Sequence, residues 1–457
     1  MSKQSEELGS KPIGSLLAKQ AIPASIGILI MSIYMIVDTI FVGRYVGSLG
    51  ISAITVVLPI TFLIASFGMA IGIGGASIIS RAIGENNEEK AFQTFGNQAT
   101  LTVLIASFIV FIGSFFQEEI LILYGGKGGI LPFAKQYFQI ILYGIPFLAW
   151  AMMSNNVIRS VGAPKVAMLV MVIPAVLNII FDAIFIVGFG WGIEGAAWAT
   201  TISYFGSAAF SFLFFLSKKS ELKLQIKNLW LRFKIVKEIF SIGIVTLARQ
   251  GTISILVIVL NNTLYTFGGE LSIAVYGIIN RVMMFANFPI LGITQGYMPI
   301  VGYNYGAKNW DRVRDVINLA TRSGTAIALV LFIAILSFSE QVVAIFTTDA
   351  ELIAMTGSAL KMVFIATPLI AIQLIGSAYF QAIGKAVPAL LLTLTKQGFF
   401  LIPLILILPR FYGIDGVWYS FPIADVGAAA ITYYYLRKET AHIRNNIMTL
   451  DKNEIFR

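Results

Sequence analysis

The chain has 457 residues, of which 57% are hydrophobic and only 12% are charged, with a formal net charge of +9 at pH 7. Soluble globular proteins average roughly 45–50% apolar and about 25% charged residues, so this composition excludes a water-soluble fold and indicates that lipid is the natural solvent. The sequence has no cysteine, which excludes disulfides, thiol catalysis and thiolate metal sites.

Long apolar runs predict twelve transmembrane helices, because about 20 apolar residues are needed for a helix to cross a bilayer core. Helices are the expected spanning form, since backbone polar groups in hydrocarbon must be hydrogen-bonded internally. In chain order the predicted spans are roughly 21–45, 51–80, 94–116, 133–155, 165–189, 193–216, 236–267, 272–300, 316–339, 357–381, 386–409 and 413–436.

The distribution of basic residues predicts the orientation of these spans. An even number of spans places both termini on the same side, and 24 of the 32 Lys and Arg residues flank that side, whereas five flank the other. The positive-inside rule therefore predicts that both termini are cytoplasmic. Because the basic residues sit in short segments between apolar runs, we expect contact with membrane lipid and no nucleic-acid partner.

The two halves of the chain are related. The segment GIEGAAWA at 192–199 returns as GIDGVWYS at 413–420, and at nearly the same offset Gly84 faces Gly306 and Gly162 faces Gly384. We predict an all-α integral membrane fold, in which two six-helix bundles are related by a pseudo-twofold axis along the membrane normal. The predicted domains are an amino-terminal tail (1–11), a first lobe (12–216), a linker (217–235), a second lobe (236–440) and a carboxy-terminal tail (441–457).

The first half carries two carboxylates inside its spans, Asp38 in the first helix and Asp182 in the fifth. Asn178 is one turn before Asp182 on the same helix face, and Thr200 reaches a similar depth in the sixth helix. Ionisable groups within a membrane are costly and usually functional. These residues predict a cation-coupling site, in which the carboxylates share a proton or Asp38, Asn178 and Asp182 bind Na⁺. The alternative is two separate structural aspartates satisfied by neighbouring hydroxyl groups.

The second half does not repeat this site, because Pro403 stands at the position equivalent to Asp182. Four charged residues lie near mid-span instead: Arg249, Arg281, Lys396 and Asp425. We expect Lys396 or Arg249 to pair with Asp425. Such a pair fits equally well a static contact between helices and a role in substrate binding or gating.

Other side chains are candidates for bending and for lining a cavity. Pro23 and Pro174 each remove a backbone hydrogen bond from a helix that carries one of the aspartates, so both are candidate hinges. The candidate substrate-lining residues are Met31, Tyr34, Met35, Asn155 and Asn156. Methionine and aromatic side chains suit an adaptable apolar cavity, but they also commonly face lipid or neighbouring helices.

Five segments together resemble the multidrug and toxic compound extrusion (MATE) family. They are VDTIFVGRYVGSLGISAI (37–54), GIGGASIISRAIGENNEEKA (72–91), NNVIRSVGAPKVAM (155–168), LNIIFDAIFIVGFGWGIEGAAWAT (177–200) and PIVGYNYGAKNWDRV (299–313). The resemblance extends from about residue 12 to 440. An acidic site confined to the first lobe is similar to the DinF-like and MepA-like bacterial branch.

The resemblance implies a V-shaped, two-lobed antiporter of a bacterial cytoplasmic membrane. It would export amphipathic, often cationic organic compounds in exchange for H⁺ or Na⁺ by alternating access, as a monomer and without a cofactor. The family's cation site corresponds here to Asp38, Asn178, Asp182 and Thr200, with the backbone carbonyl of Ala196 as an additional ligand. The alternative is a flippase for a lipid-linked or amphipathic biosynthetic precursor. An enzyme is not expected, because cysteine, histidines within the spans and a phosphate-binding loop are absent from the sequence.

Overall fold

The structure is a computed structural model that describes residues 3–455, a range in which every regular element is helical. The α-helices are α1 (Lys3–Ser10), α2 (Ile13–Tyr45), α3 (Ser48–Gly84), α4 (Glu88–Phe115), α5 (Gln117–Leu123), α6 (Ile130–Ser160), α7 (Pro164–Asp182), α8 (Gly192–Leu216), α9 (Phe233–Gly306), α10 (Trp310–Ala344), α11 (Ala350–Val363), α12 (Thr367–Ala382), α13 (Ala386–Leu394), α14 (Ile402–Ile407), α15 (Pro409–Tyr412) and α16 (Ile414–Ile455). Two π-helical segments, Ala183–Gly188 and Thr395–Leu401, and a 3₁₀ turn, Ile226–Asn228, complete the described range.

Nine helices in the described range are long and apolar enough to cross a membrane, and α11 with α12 forms a tenth crossing, bent by 52° at its break. The 74-residue α9 contains two helices that join at Gly269, where φ is 67° and the backbone is not helical. The helix α16 has sufficient length but is not among the nine. The all-α fold is therefore confirmed. The twelve predicted spans correspond to these helices when α9 is divided and α16 is counted, and the number twelve stays a prediction.

The sequence repeat is visible in the backbone as matched left-handed residues. The pairs, separated by 221 or 222 positions, are Gly47 (φ 93°) with Gly269 (φ 67°), Asn86 (φ 57°) with Lys308 (φ 58°), Gly162 (φ 80°) with Gly384 (φ 81°), and Gly192 (φ 56°) with Gly413 (φ 59°). Non-glycine residues rarely adopt positive φ. Because this conformation recurs at equivalent positions, the connections between helices have the same backbone geometry in both halves.

The first of two compact units contains the residues up to Ser10 together with Ile26–Leu247. Its core is formed by side chains from α3, α6 and neighbouring helices, among them Val57, Phe138, Ile141, Ile145 and Ala149. Close approach of α3 to α6 requires glycine, because a Cβ atom at Gly68 would lie 2.7 Å from the carbonyl oxygen of Ala149. Small residues are the usual means of close helix packing where lipid removes the hydrophobic driving force.

The second unit contains Lys11–Ser25 together with the chain from Ala248 onward. Its core includes Leu260, Ile279, Leu360, Ile405 and Val417. The first part of α2 packs within this unit, where a Cβ atom at Gly296 would lie 2.6 Å from the backbone nitrogen of Ala21. Residues 11–25 thus belong to the second unit, although the predicted first lobe begins at 12. The predicted linker at 217–235 and the start of α9 belong to the first unit.

Large apolar side chains cover outer surfaces of the first unit. Phe108, Phe111 and Phe115 of α4 are 58–69% exposed, and Leu213 and Leu216 at the end of α8 are 63% and 60% exposed. Exposed apolar side chains of this size are unfavourable in water and suit contact with acyl chains.

Candidate functional site

The acidic site is assembled from three helices of the first unit. Asp38 comes from α2, Asn178 and Asp182 come from the end of α7, and Thr200 comes from α8. All four side chains are buried, and Asp182 has no exposed surface. The structure therefore brings together four residues that are separated by up to 162 positions in the sequence.

The two carboxylates are close together, and three of their four oxygens have no hydrogen-bond donor among the described residues. The side chains of Asp38 and Asp182 contact each other, and Asn178 Nδ2 donates a hydrogen bond of 3.2 Å to Thr200 Oγ1. Within the described residues, no donor reaches Asp38 Oδ1, Asn178 Oδ1 or either carboxylate oxygen of Asp182. Two ionised carboxylates repel, and neither can donate to the other. A shared proton or a bound cation removes both problems.

Three tyrosines surround this pair. Tyr34, one turn before Asp38 on α2, contacts Tyr204 of α8, and Tyr137 of α6 lies against Thr200. Only Tyr34 was singled out from the sequence. The spacing of four residues between Thr200 and Tyr204 is a signal that could have identified Tyr204. Tyr137 has no polar neighbour at helical spacing, so the sequence contains no comparable signal for it.

A π-helical segment follows Asp182 directly. Asp182 is the last residue of α7, and Ala183–Gly188 continues with the wider π geometry. The start of α8 packs on this segment, because a Cβ atom at Gly195 would lie 3.1 Å from the backbone of Phe185. Single π-helical turns are rare overall, and those that occur are often found at functional sites. Ala196 is fully buried one turn before Thr200, and the use of its carbonyl as a cation ligand stays a prediction.

The other predicted residues of this unit occupy different environments. Met31, Tyr34 and Met35 are partly exposed on α2. Asn155 is buried, and its Nδ2 donates to the carbonyl of Ala167 at 2.6 Å while its Oδ1 accepts from Arg159 at 3.2 Å. Asn155 therefore connects α6 to α7.

Asn156 also bonds within the protein, since its Nδ2 donates to the carbonyl of Met152 at 2.9 Å. Pro23 and Pro174 lie inside α2 and α7, and both helices continue through the proline. Pro23 is two residues before Ser25, where α2 passes from the second compact unit to the first. The hinge role of both prolines stays a prediction.

Two of the four predicted mid-span charges of the second unit form an ion pair. Lys396 Nζ lies 2.5 Å from Asp425 Oδ1, and the side chains are 20% and 4% exposed. Lys396 belongs to the π-helical segment Thr395–Leu401. Arg249 makes no ion pair with any described residue, and Arg281 is exposed. The four predicted charges therefore do not form one group. Lys396 pairs with Asp425, which is the first of the two pairings that the sequence left open.

Dedicated metal ligands are not clustered in the described part of the chain, where no three His, Cys, Asp or Glu side chains come together to hold a metal ion. Any Na⁺ at the acidic site would depend on the two carboxylates together with the Asn178 and Thr200 oxygens. Such a set of hard oxygen ligands suits an alkali cation better than a transition metal.

Repeated bundles of membrane-spanning helices and a buried acidic pair define a multi-pass membrane transporter. A model of the MatE family matches residues 23–184 and 244–407, one match in each half of the chain. The chain therefore belongs to the MatE family and is a transporter, not an enzyme.

Relatives and solved structures agree with this assignment over nearly the whole chain. The multidrug export protein MepA of Staphylococcus aureus (strain MSSA476) is 28% identical over 452 residues, covering 97% of each chain. MepA of Staphylococcus saprophyticus is 28% identical over 443 residues, covering 95% of each. A crystal structure of MATE in complex with MaL6 matches with a TM-score of 0.92, 25% identity and coverage of 97% of this chain and 100% of that one. The outward-facing conformation of a multidrug resistance MATE family transporter matches with a TM-score of 0.91, 25% identity and coverage of 97% and 99%.

Proposed function

We propose that this protein is a secondary active antiporter that exports amphipathic, often cationic organic compounds in exchange for H⁺ or Na⁺ by alternating access. Two findings support multidrug export: the family membership and the similarity to proteins named for that activity. The observation that carries the coupling mechanism is the contact between Asp38 and Asp182, with carboxylate oxygens that no described donor reaches.

In the proposed mechanism the coupling ion neutralises the acidic pair. A proton or Na⁺ binds between Asp38 and Asp182, and the loss of their mutual repulsion favours the conformation that releases drug outside. Coupling requires that the ion bind the two conformations with different affinity. A tenfold concentration gradient of the coupling ion supplies about 1.4 kcal/mol per ion, which sustains roughly a tenfold gradient of a drug exchanged one for one.

Residues near the pair provide a means of recognising amphipathic cations. Met31, Tyr34 and Met35 precede Asp38 on α2 and are partly exposed. Methionine adapts to varied apolar shapes, and an aromatic ring attracts an organic cation over its face. We therefore infer that these side chains contact the drug. Protonation or Na⁺ binding at Asp38 then weakens the electrostatic attraction that holds a cationic drug in place.

The location and assembly are part of the proposal. We infer a bacterial cytoplasmic membrane with both termini in the cytoplasm, a monomeric transporter, and no cofactor besides the coupling ion. The chain has no cysteine, so single cysteines introduced into loops report sidedness directly. Labelling of Lys219→Cys by a membrane-impermeant maleimide in inverted vesicles but not in intact cells supports this orientation, and the reverse pattern contradicts it.

Uptake of a fluorescent cationic dye into inverted membrane vesicles tests the function. A proton gradient (acid lumen) and a Na⁺ gradient (Na⁺-loaded lumen) are imposed separately on vesicles with the wild-type chain, Asp38→Asn or Asp182→Asn. The exposed Asp415 provides a matched control as Asp415→Asn. We expect one gradient to drive uptake in the wild type and the control, and neither to drive it in the site variants.

Two outcomes contradict the proposal. Equal dye uptake by Asp38→Asn and the wild type would remove the acidic pair from coupling. Translocation of a fluorescent lipid, with no dye uptake under either gradient, would support the flippase, which the drug-export relatives do not favour.

A further inference from the structure

The connection between α8 and α9 (residues 217–232) is held rigidly against α4. Asn97 Nδ2 donates to the carbonyls of Asn228 at 3.3 Å and Trp230 at 3.2 Å, and Asn97 Oδ1 accepts from the backbone nitrogen of Arg232 at 2.7 Å. The loop also approaches α4 closely at Gly96, where a Cβ atom would lie 2.2 Å from the carbonyl oxygen of Asn228. These contacts hold the backbone of the loop against α4 from Asn228 to Arg232.

The clamped backbone presents three large apolar side chains outward. Ile226 is 84% exposed, Trp230 is 80% exposed and Phe233, the first residue of α9, is 82% exposed. Exposed apolar groups are ordinary singly, but a group of this size on an ordered segment indicates an interaction surface. Tryptophan and phenylalanine are typical of segments that lie at the boundary between headgroups and acyl chains.

Basic side chains surround the apolar group. The exposed ones are Lys223, Lys227, Arg232, Lys234 and Lys237. None of the five forms an ion pair with another described residue, and positions 222–237 contain no acidic residue. The surface thus combines unpaired positive charge with apolar bulk, a combination that recognises anionic lipid.

The position of the loop favours lipid over a soluble partner. It follows Leu213 and Leu216 of α8, which are exposed and belong to the apolar exterior, and the charge distribution predicts this end of the helices to be cytoplasmic. The loop therefore begins where the apolar exterior of α8 ends. Juxtamembrane basic clusters on the cytoplasmic side are attracted by the negative surface potential of that leaflet.

We propose that residues 223–237 form a binding site for anionic phospholipid. Trp230, Phe233 and Ile226 insert at the headgroup boundary, while the surrounding lysines and Arg232 bind the phosphate groups. Because Asn97 holds the loop in place, the site is preformed and no ordering of the chain is needed on binding.

Site-specific fluorescence in lipid nanodiscs tests this proposal on the full chain. Trp230→Cys carries an environment-sensitive maleimide dye, and Lys219→Cys, an exposed position of the same loop before the apolar group, is the matched control. Quenching by an acyl-chain nitroxide lipid and by aqueous iodide is measured in phosphatidylcholine alone and with added phosphatidylglycerol. We expect at least twofold stronger nitroxide quenching and weaker iodide quenching at position 230 with phosphatidylglycerol, and iodide quenching at 219 in both membranes.

A charge variant separates recognition of anionic lipid from simple insertion. Lys227→Gln, Arg232→Gln and Lys234→Gln, combined with the label at 230, should abolish the difference between the two membranes. Equal nitroxide quenching in both membranes by the unaltered loop would overturn the anionic preference. Iodide access at 230 equal to that at 219, or shielding from iodide without nitroxide quenching, would overturn the lipid site altogether.

Discussion

Replacing Asp182 by asparagine removes one charge from the acidic pair and keeps the shape of the side chain. In the proposed mechanism the pair carries the coupling ion, so Asp182→Asn should lose the work of at least one exchanged charge. With a tenfold gradient of the coupling ion that work is about 1.4 kcal/mol per ion, and the accumulation ratio of drug should fall about tenfold. Energised dye uptake into vesicles measures this ratio directly.

The same variant should be as stable as the wild type or more stable, although it loses transport. Asp182 is fully buried, and neither of its carboxylate oxygens has a donor among the described residues. Removing an uncompensated buried charge is neutral or stabilising, and an asparagine amide can donate to Asp38 Oδ1. Thermal unfolding in detergent should therefore occur at the wild-type temperature or above it. A variant with normal uptake would refute the coupling assignment, and one that is inactive because it unfolds at lower temperature would refute the electrostatic reasoning.

The double variant Asp38→Asn/Asp182→Asn extends the same prediction. Residues that act as one functional unit show non-additive effects, so the double variant should be no less active than either single variant. An additive loss would mean that Asp38 and Asp182 serve separate functions.

Three further substitutions, with Gly277→Ala as a control, test the buried ion pair of the second unit, the attachment of the α8–α9 loop and the packing of α3 on α6. Lys396→Gln strands the buried carboxylate of Asp425 and should cost about 3–5 kcal/mol, measured as the free energy of unfolding; a cost below 1 kcal/mol would show that the pair is solvated. Asn97→Leu removes the donors and the acceptor that hold the α8–α9 loop and should cost about 2–4 kcal/mol, with faster hydrogen exchange confined to that loop; unchanged exchange would contradict the clamp. Gly68→Ala forces α3 away from α6 and should cost about 1–3 kcal/mol, whereas Gly277→Ala, where a Cβ atom meets open space, should gain up to about 1 kcal/mol; equal effects would remove the packing argument.

The acidic site could be predicted because its information is local. Asp38 and Asp182 are conspicuous as carboxylates inside apolar runs, and helical spacing connects Asn178 to Asp182. The repeat was equally accessible, since glycines that permit left-handed turns recur at offsets of 221 or 222 positions. These features depend on residue type and spacing, which a sequence displays directly.

Features that depend on packing between helices could not be predicted. The π-helical segment Ala183–Gly188 lies in a uniform apolar run, and no residue within it signals the change of geometry. Pro23 predicts a bend in α2, but nothing in the sequence indicates that the helix is divided between two compact units at Ser25. The choice of Lys396 over Arg249 as the partner of Asp425 likewise depends on where α9, α16 and the second π-helical segment meet.

Ion movement driven by the substrate tests cation coupling most directly, because linkage between two ligands is reciprocal. Proteoliposomes with no initial ion gradient receive the cationic substrate outside, and internal indicators follow pH and Na⁺. Antiport predicts that inward movement of the substrate makes the lumen alkaline or depletes its Na⁺ for the wild type, and changes neither for Asp182→Asn. Entry of substrate with no movement of either ion, or an equal ion signal from Asp182→Asn, would contradict the account.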